Sequence, residues 1–243
     1  MTQLIAPDSE VIILAGGFGT RLRSAVPDRP KPMALVAGRP FLEWQLDWLM
    51  QKGISRGILA VGYLHEQIVS HFGDNYRGMS LSYSVETTPL GTGGAILQAL
   101  SICRSDWVFV TNGDTLSSFP LQQMWDSRTA AIDCLLAVCS VEDATRFGTV
   151  ELDETSRLVI RFRSKGIGGR ALINTGTYLI DRQSFINYNK LAVFSMESDY
   201  LEPQSAENKI GAVQGESLFI DIGIPSDFER AQQFLPEAMA AVR

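Results

Sequence analysis

Three groups of residues in this chain have the types and spacing to do chemistry. The first is Leu14-Ala15-Gly16-Gly17-Phe18-Gly19-Thr20-Arg21, with Lys31 ten residues further on between Pro30 and Pro32. Glycines let a backbone turn tightly and bring its N–H groups against a ligand with no Cβ in the way. An apolar run, Val11 to Leu14, feeds the loop, and two cations follow it. That combination suits a polyphosphate. The second group is a pair of acids, Asp114 and Asp221, each closing an apolar run (Val108-Phe109-Val110 and Phe219-Ile220). Acids at strand ends lie where open α/β sheets bind ligands. Two of them can converge on one divalent cation whose other ligands are phosphate oxygens and water. Taken singly, each is an ordinary turn or helix cap; taken with the glycine loop, the cation is favoured. The third group is Glu86 and the loop after it, Thr87 to Gly94, which carries Gly91, Thr92, Gly93 and Gly94.

The first loop is not a P-loop, since no Gly-x-x-x-x-Gly-Lys-Ser/Thr string occurs. It is not a dinucleotide fingerprint either, because Leu22 stands where a third small residue belongs. A βα turn whose glycines serve only packing would explain neither the Arg21/Lys31 pair nor the acids downstream. Glu86 allows two readings. A carboxylate accepts hydrogen bonds and donates none. Guanine offers two adjacent donors, whereas uracil and thymine offer one donor flanked by acceptors; if this loop faces a base, as the family resemblance given below implies, Glu86 at the base edge favours GTP. Alternatively Glu86 caps the following turn, and backbone groups read the base.

Composition sets the frame. The 243 residues are 45% hydrophobic and 20% charged, with a net charge of −6. That fits a folded α/β chain and, with no basic run, argues against a nucleic-acid partner. Met1 to Glu10 carries no export signal, and no apolar run approaches the ~20 residues that span a bilayer. Cys103, Cys134 and Cys139 form neither a disulfide framework nor a zinc spacing, which suits a reducing cytoplasm. His65 and His71, the two histidines, fall on different faces of one helix and read as exposed or capping residues.

These groups need elements to position them. Residues 1–9 read as a loose arm and 10–15 as the first strand. A helix runs from Pro40 through Met50, with Leu42, Leu46 and Leu49 on one face, Phe41, Trp44 and Trp48 reading as core or, as the lesser alternative, a subunit contact, and Gly53 as its stop. Strands follow at 58–61, 79–86 and 107–110, with helices at 65–72 and 95–103. This alternation argues a parallel sheet covered on both faces. The second half is richer in strands: 132–138, a hairpin of 148–152 and 158–162 turning at Asp153 to Ser156, then 172–180, 209–213 and 218–220. A last helix spans 225–234. The expected fold is α/β, Rossmann-like, three layers (α/β/α) around a mixed, mostly parallel central sheet. The expected organisation is one domain over 1–243, with halves meeting at about residue 130, which the family resemblance given next implies are a nucleotide-binding half and a sugar-phosphate-binding half.

Taken whole, Leu-Ala-Gly-Gly-x-Gly-Thr-Arg-Leu with Pro-Lys-Pro-Met resembles the signature of the sugar-1-phosphate nucleotidyltransferases, and the GT-A-like version of this fold is what that family implies. The resemblance runs from residue 10 to about 234. It implies nucleotide contacts at Leu14, Ala15, Gly16, Gly17, Gly19, Thr20, Glu86, Gly91 and Thr92, with Arg21 on the leaving pyrophosphate and Lys31 on the α-phosphate. It implies Mg2+ on Asp114 and Asp221, Asp114 counting among the catalytic residues. Arg146-Phe147-Gly148, Phe162-Arg163-Ser164-Lys165, Leu172-Ile173-Asn174-Thr175-Gly176 and Ser195-Met196-Glu197-Ser198-Asp199 resemble the family's sugar motifs. They imply sugar-phosphate contacts at Gly148, Lys165, Asn174 and Glu197. Phe147 and Ser164 depart from a usual tyrosine and glutamate. Glu197 supplies the missing carboxylate or belongs to the first turn of a helix capped by Ser195.

Pro-Leu-Gly-Thr-Gly-Gly-Ala, the glycine-rich 165–170 segment and Asp-Ile-Gly-Ile-Pro most resemble the D-glycero-α-D-manno-heptose 1-phosphate guanylyltransferases. The mannose-1-phosphate enzymes come next. The implied partners are an NTP, with GTP favoured, and a sugar 1-phosphate. Self-association is open. So are a UTP- or dTTP-using enzyme and a non-catalytic sugar-nucleotide-binding subunit. A glycosyltransferase would want Asp-x-Asp, and Asn112-Gly113-Asp114 lacks its first acid. No hexapeptide repeat follows the last helix, so the acyltransferase domain appended in some relatives is not expected.

Overall fold

The computed structural model describes residues 9–19, 22, 26–164, 166, 168–188, 191–215 and 218–241. The arm over 1–8 lies outside them, as do Thr20, Arg21 and Lys165. In chain order the first elements are β1 (Glu10–Ala15), β2 (Leu35–Val36), β3 (Arg39–Pro40), α1 (Phe41–Gln51), β4 (Arg56–Val61), α2 (His65–Phe72), β5 (Asn75–Tyr76) and β6 (Met79–Val85). Next come α3 (Gly91–Leu100), β7 (Trp107–Asn112), β8 (Thr115–Ser117), α4 (Leu121–Asp126), β9 (Cys134–Val141), β10 (Thr149–Leu152) and β11 (Val159–Arg163). The last are β12 (Ala171–Asp181), α5 (Arg182–Tyr188), α6 (Glu202–Ala206), β13 (Ile210–Gln214), β14 (Phe219–Asp221) and α7 (Pro225–Ala241).

One sheet of ten strands takes members from both halves of the chain. Its centre, β7-β1-β4-β6, is parallel, with Ile12 opposite Ile58 on one side and Val110 on the other. Beyond β7 the sheet becomes mixed. β12 runs antiparallel to β7, and β9 pairs antiparallel with β12 and parallel with β13. Adjacent β1 residues serve opposite faces, as the two-residue period of a strand requires. Val11 and Ile13 pack with Leu42, Leu46 and Trp48 of α1 and with Leu235 of α7. Ile12 packs with Ile96 and Leu100 of α3 and Phe185 of α5. Both faces are therefore covered, as the apolar β1 sequence demands. Each fully buried leucine or isoleucine here contributes roughly 1.5–3 kcal/mol.

The strands and hairpin fall where the sequence indicates, within a few residues. Three differences have physical reasons. The helix expected from Ala95 begins at Gly91, whose φ of +72° still makes the expected turn, and Gly93 and Gly94 form its first turn packed against Phe194 and Ala192. The last helix runs on to Ala241, through Pro236, with Leu235 and Met239 giving it apolar contacts past residue 234. Short elements with little periodicity were not foreseen: the β2–β3 ladder, β8 and its pairing with β14, β5, α4, α5 and α6; the helical turn allowed at Glu197 is present as a π-helical turn over Glu197–Leu201.

Polar groups fix the outer layer. Arg39 donates to Glu43 (3.0 Å) and Asp47 (2.6 Å), and His71 lies 2.9 Å from Glu43. His65 Nδ1 sits 3.2 Å from the carbonyl of Gly62. The three cysteines are buried thiols, and burial pushes Cys103 up to about 12. Inside, the buried Gln45 side chain of α1 donates to the carbonyls of Asn112 (2.8 Å) and Thr115 (2.5 Å), on either side of Asp114.

Two stability predictions follow from these contacts. Gln45→Leu keeps the volume but strands two carbonyls, and should cost about 1–3 kcal/mol in urea unfolding at pH 7. A loss under half that would show that the carbonyls find other donors. At Glu43, burial raises the pKa, but hydrogen bonds from His71 and Arg39 outweigh it and hold the group below 4.5. A carboxyl depressed on folding stabilises fully above its unfolded pKa, and loses that contribution as pH falls through the folded value. Glu43→Gln should therefore lower Tm at pH 7 and flatten its decline on acidification below about pH 4.5. An acid limb as steep as wild type would contradict this.

Candidate functional site

A cavity of about 600 Å³ opens at the C-terminal ends of β1, β4, β6 and β7. That is the crevice where open α/β sheets take ligands, and its size is in the range of small-molecule sites. Leu14, Ala15, Gly16, Gly17 and Gly19 line it from the first loop, with Lys31 beside them. Glu86, Gly91 and Thr92 line it from the second loop, and Asp114 and Glu197 from the later chain. Phe18 and Tyr63 stand at the rim with ring centroids 5.5 Å apart. Gly62 and Tyr63 also border the cavity and were not singled out by sequence, since neither lies in a motif; Asn112 and Gly223 border it as members of the motifs that carry the two acids.

Glu86 follows β6 and crosses to the first loop. Its Oε2 accepts the Leu90 N–H at 3.1 Å, so the turn-capping reading is realised. Its other oxygen lies against the Cα of Gly16, where an added Cβ would fall 2.3 Å from Oε1. A side chain at position 16 would thus displace the Glu86 carboxylate. Burial raises the Glu86 pKa, and the Leu90 N–H opposes the rise. The same carboxylate caps one turn and faces the cavity.

The start of α3 is built against a later segment. The carbonyl of Phe194 accepts the N–H of Gly93 at 3.0 Å and of Gly94 at 3.4 Å, which satisfies first-turn donors that Leu90 does not cap. The Phe194 ring lies so close that a Cβ on Gly93 would meet it at 2.2 Å. Thr92 Oγ1 donates to Glu197 Oε2 (3.1 Å) and accepts the Met196 N–H (2.8 Å). Ser195 Oγ accepts the N–H groups of Glu197 and Ser198, while Asp199 accepts the Ser195 N–H at 2.7 Å. The capping expected of Ser195 is present, and the Glu197 side chain still borders the cavity.

The acids meet through a short ladder. β7 ends at Asn112, the chain turns at Gly113-Asp114, and β8 pairs antiparallel with β14 so that Thr115 faces Asp221. Lys31 Nζ bonds Asp114 Oδ2 and lies 3.9 Å from Asp221 Oδ1. The Asp114 and Asp221 side chains are 31% and 22% exposed, against 10% for Lys31. Among the described residues no three His, Cys, Asp or Glu gather into a ligand cluster. Two converging carboxylates, already holding one cationic group between them, are what Mg2+ needs when phosphate and water supply the rest.

Gly148 and Asn174 do not line this cavity. Gly148 precedes β10 beside the Arg163 carbonyl. Asn174 donates to the Tyr178 hydroxyl (3.0 Å) and accepts the Gly176 N–H (2.8 Å). Phe147, the departure from tyrosine, packs edge-on against Phe219 at 5.3 Å.

The chain matches the nucleotidyl transferase family over residues 10–238. It is similar to the D-glycero-alpha-D-manno-heptose 1-phosphate guanylyltransferase of Aneurinibacillus thermoaerophilus, 40% identical over 93% of this chain and 98% of that protein. The protein of the same name from Campylobacter jejuni is 39% identical over 90% and 96%. Among solved structures, HddC from Yersinia pseudotuberculosis complexed with GMP-PN is 34% identical, covers 93% of this chain and 98% of its own, and superposes with a TM-score of 0.82. The family match takes in every residue bordering the cavity, from Leu14 to Gly223, and this chain belongs to the nucleotidyl transferase family.

Proposed function

We propose that this chain transfers GMP from GTP to D-glycero-α-D-manno-heptose 1-phosphate, giving the GDP-sugar and pyrophosphate for surface polysaccharide synthesis. The observation that carries the reading is the convergence on one cavity of a glycine loop, Lys31, Asp114 and the carboxylate of Glu86. The near full-length similarity to two heptose 1-phosphate guanylyltransferases supports the choice of sugar. Residues up to about 130 form the nucleotide half of a single domain, and those after it the sugar-phosphate half. No helix among the described residues is long and apolar enough to cross a membrane. The proposed setting is the cytoplasm.

In this reading an oxygen of the sugar phosphate attacks the α-phosphorus of GTP in line, opposite the leaving pyrophosphate. No general base is required, because a phosphate monoester with a second pKa near 6 is largely dianionic at neutral pH. Backbone N–H groups of Gly16 to Thr20 cradle the triphosphate, and Arg21 holds the leaving pyrophosphate. Lys31 neutralises the α-phosphate, and Lys165 the incoming phosphate. Gly148, Asn174 and Glu197 hold the sugar. Glu86 faces the donor edge of guanine with the oxygen that Leu90 does not occupy, and Gly91 and Thr92 border the base. Asp114 and Asp221 would hold Mg2+, which supplies charge neutralisation on the phosphates. The work of the chain is positioning and electrostatics.

Pyrophosphate release from GTP, UTP, dTTP and CTP against heptose 1-phosphate and mannose 1-phosphate tests this reading. GTP with the heptose phosphate should turn over fastest; preference for a pyrimidine nucleotide would overturn the guanine assignment. Asp114→Asn and Lys31→Ala should each lower kcat on the order of 10²–10³-fold, by analogy with removed oxyanion donors. Near-normal turnover in both would refute their roles. A carboxyl whose pKa is raised on folding costs stability while ionised, and the cost fades as pH falls through the folded value. Glu86→Gln should therefore raise Tm at pH 8, gain little near pH 4 and narrow the preference for GTP. An unchanged Tm and unchanged preference would remove Glu86 from both roles.

A further inference from the structure

We propose that Lys31 is the resident counter-ion of the Asp114/Asp221 pair when no nucleotide is bound, and that a metal ion can take its place there only when a nucleoside triphosphate draws the ammonium away. The proposal rests on the reading above that this acid pair holds a divalent cation. Lys31 Nζ bonds Asp114 and lies 3.9 Å from Asp221, so it stands where a shared cation would stand. The lysine is held there by its surroundings. Its backbone belongs to a tight turn between Pro30 and Pro32, in which the Pro30 and Lys31 carbonyls accept the N–H groups of Met33 and Ala34 at 2.8 and 3.0 Å. An added Cβ on Gly223 would come 3.1 Å from Nζ, and one on Gly19 would come 3.1 Å from the Lys31 Cβ, so backbone closes in on both ends of the side chain.

An ammonium and a dication cannot both sit between two carboxylates a few ångströms apart, because their mutual repulsion grows as they approach. With Lys31 in place, one unit of the pair's negative charge is offset. A free metal ion therefore meets a half-neutralised and occupied site. A triphosphate changes this by offering the ammonium a second anionic partner on the same cavity wall. Metal and nucleotide then bind with positive coupling, each strengthening the other by the same factor. The device keeps the acids from being left uncompensated and keeps free metal from loading ahead of the nucleotide.

Mn2+ binding to the full chain without nucleotide, read by electron paramagnetic resonance of the free ion, tests the proposal. Lys31→Met and Lys31→Gln should each bind Mn2+ at least about tenfold more tightly than wild type, within the usual span of coupling factors. Lys31→Arg, which keeps the charge, should not. Adding Asp221→Asn to Lys31→Met should abolish the gain. Two neutral substitutions and a circular dichroism check guard against one variant misfolding. Neutral variants that bind Mn2+ no better than wild type would overturn the proposal. The metal assignment is checked separately, with Mn2+ and a non-hydrolysable GTP analogue on wild type. If Asp114→Asn and Asp221→Asn leave that ternary signal unchanged, the acid pair is not the metal site. If they abolish it while the lysine variants show no gain, only the counter-ion role falls.

Discussion

The site depends on one backbone pairing. Asp114 and Asp221 are over a hundred residues apart in the chain, and the three-residue β8–β14 ladder, with Asp221 opposite Thr115, brings them together. The ladder is extended at both ends, by Ser118 N–H to the Leu218 carbonyl and Ile222 N–H to the Asp114 carbonyl, each 2.9 Å. A slip of one residue would turn Asp221 to the opposite side of its strand and carry it about 3.3 Å along. So short a ladder is weakly held by itself. Gln45 supports it from beneath by binding the carbonyls of Asn112 and Thr115. A buried amide in the first long helix thus governs how two distant acids face one another.

Charge follows from that geometry. Two carboxylates at short range repel unless a cation lies between them, and in this structure the cation is an ammonium from the Pro30–Pro32 turn. The rest of the cavity wall is mostly backbone and small residues. Glycine loops from the ends of β1 and β6 bring main-chain N–H groups near the same space in which the charged groups stand. The arrangement serves a ligand rich in negative charge that carries its own metal ion.

Much of this was legible in the sequence, and the boundary of legibility is physical. Strands such as Val11–Leu14 and Val108–Val110 are wholly apolar runs that alternate with helical segments, and they declare a sheet covered on both faces. The glycine loop, Lys31, Asp114 and Asp221 announce themselves by type and order. β8 and its pairing with the strand at 218–220 did not, because the three residues Thr115–Ser117 carry no period that can be told from a loop. Gln45 did not, because a glutamine on a helix face reads as solvent-exposed until its partners are known. The glycines of 91–94 were visible, but their cause was not. They read as a turn, which Gly91 makes at a φ of +72°, while Gly93 and Gly94 lie in the first helical turn, where the Phe194 ring and the Ala192 carbonyl leave no room for a Cβ. Glu86 and Glu197 each allowed a local structural reading and a ligand reading; Glu86 caps its turn, Ser195 caps the turn that holds Glu197, and both carboxylates still border the cavity.

The seat of Phe194 on the glycines of α3 has a consequence for how such a protein can diversify. The segment from Phe194 to Glu197 and the first turn of α3 share one wall, joined through the Phe194 carbonyl and the Thr92 hydroxyl. Enlarging a residue on either side displaces the other. Lineages that exchange one ligand for another by altering this region must therefore change both segments together, and intermediates altered on one side alone pass through a misfitted wall.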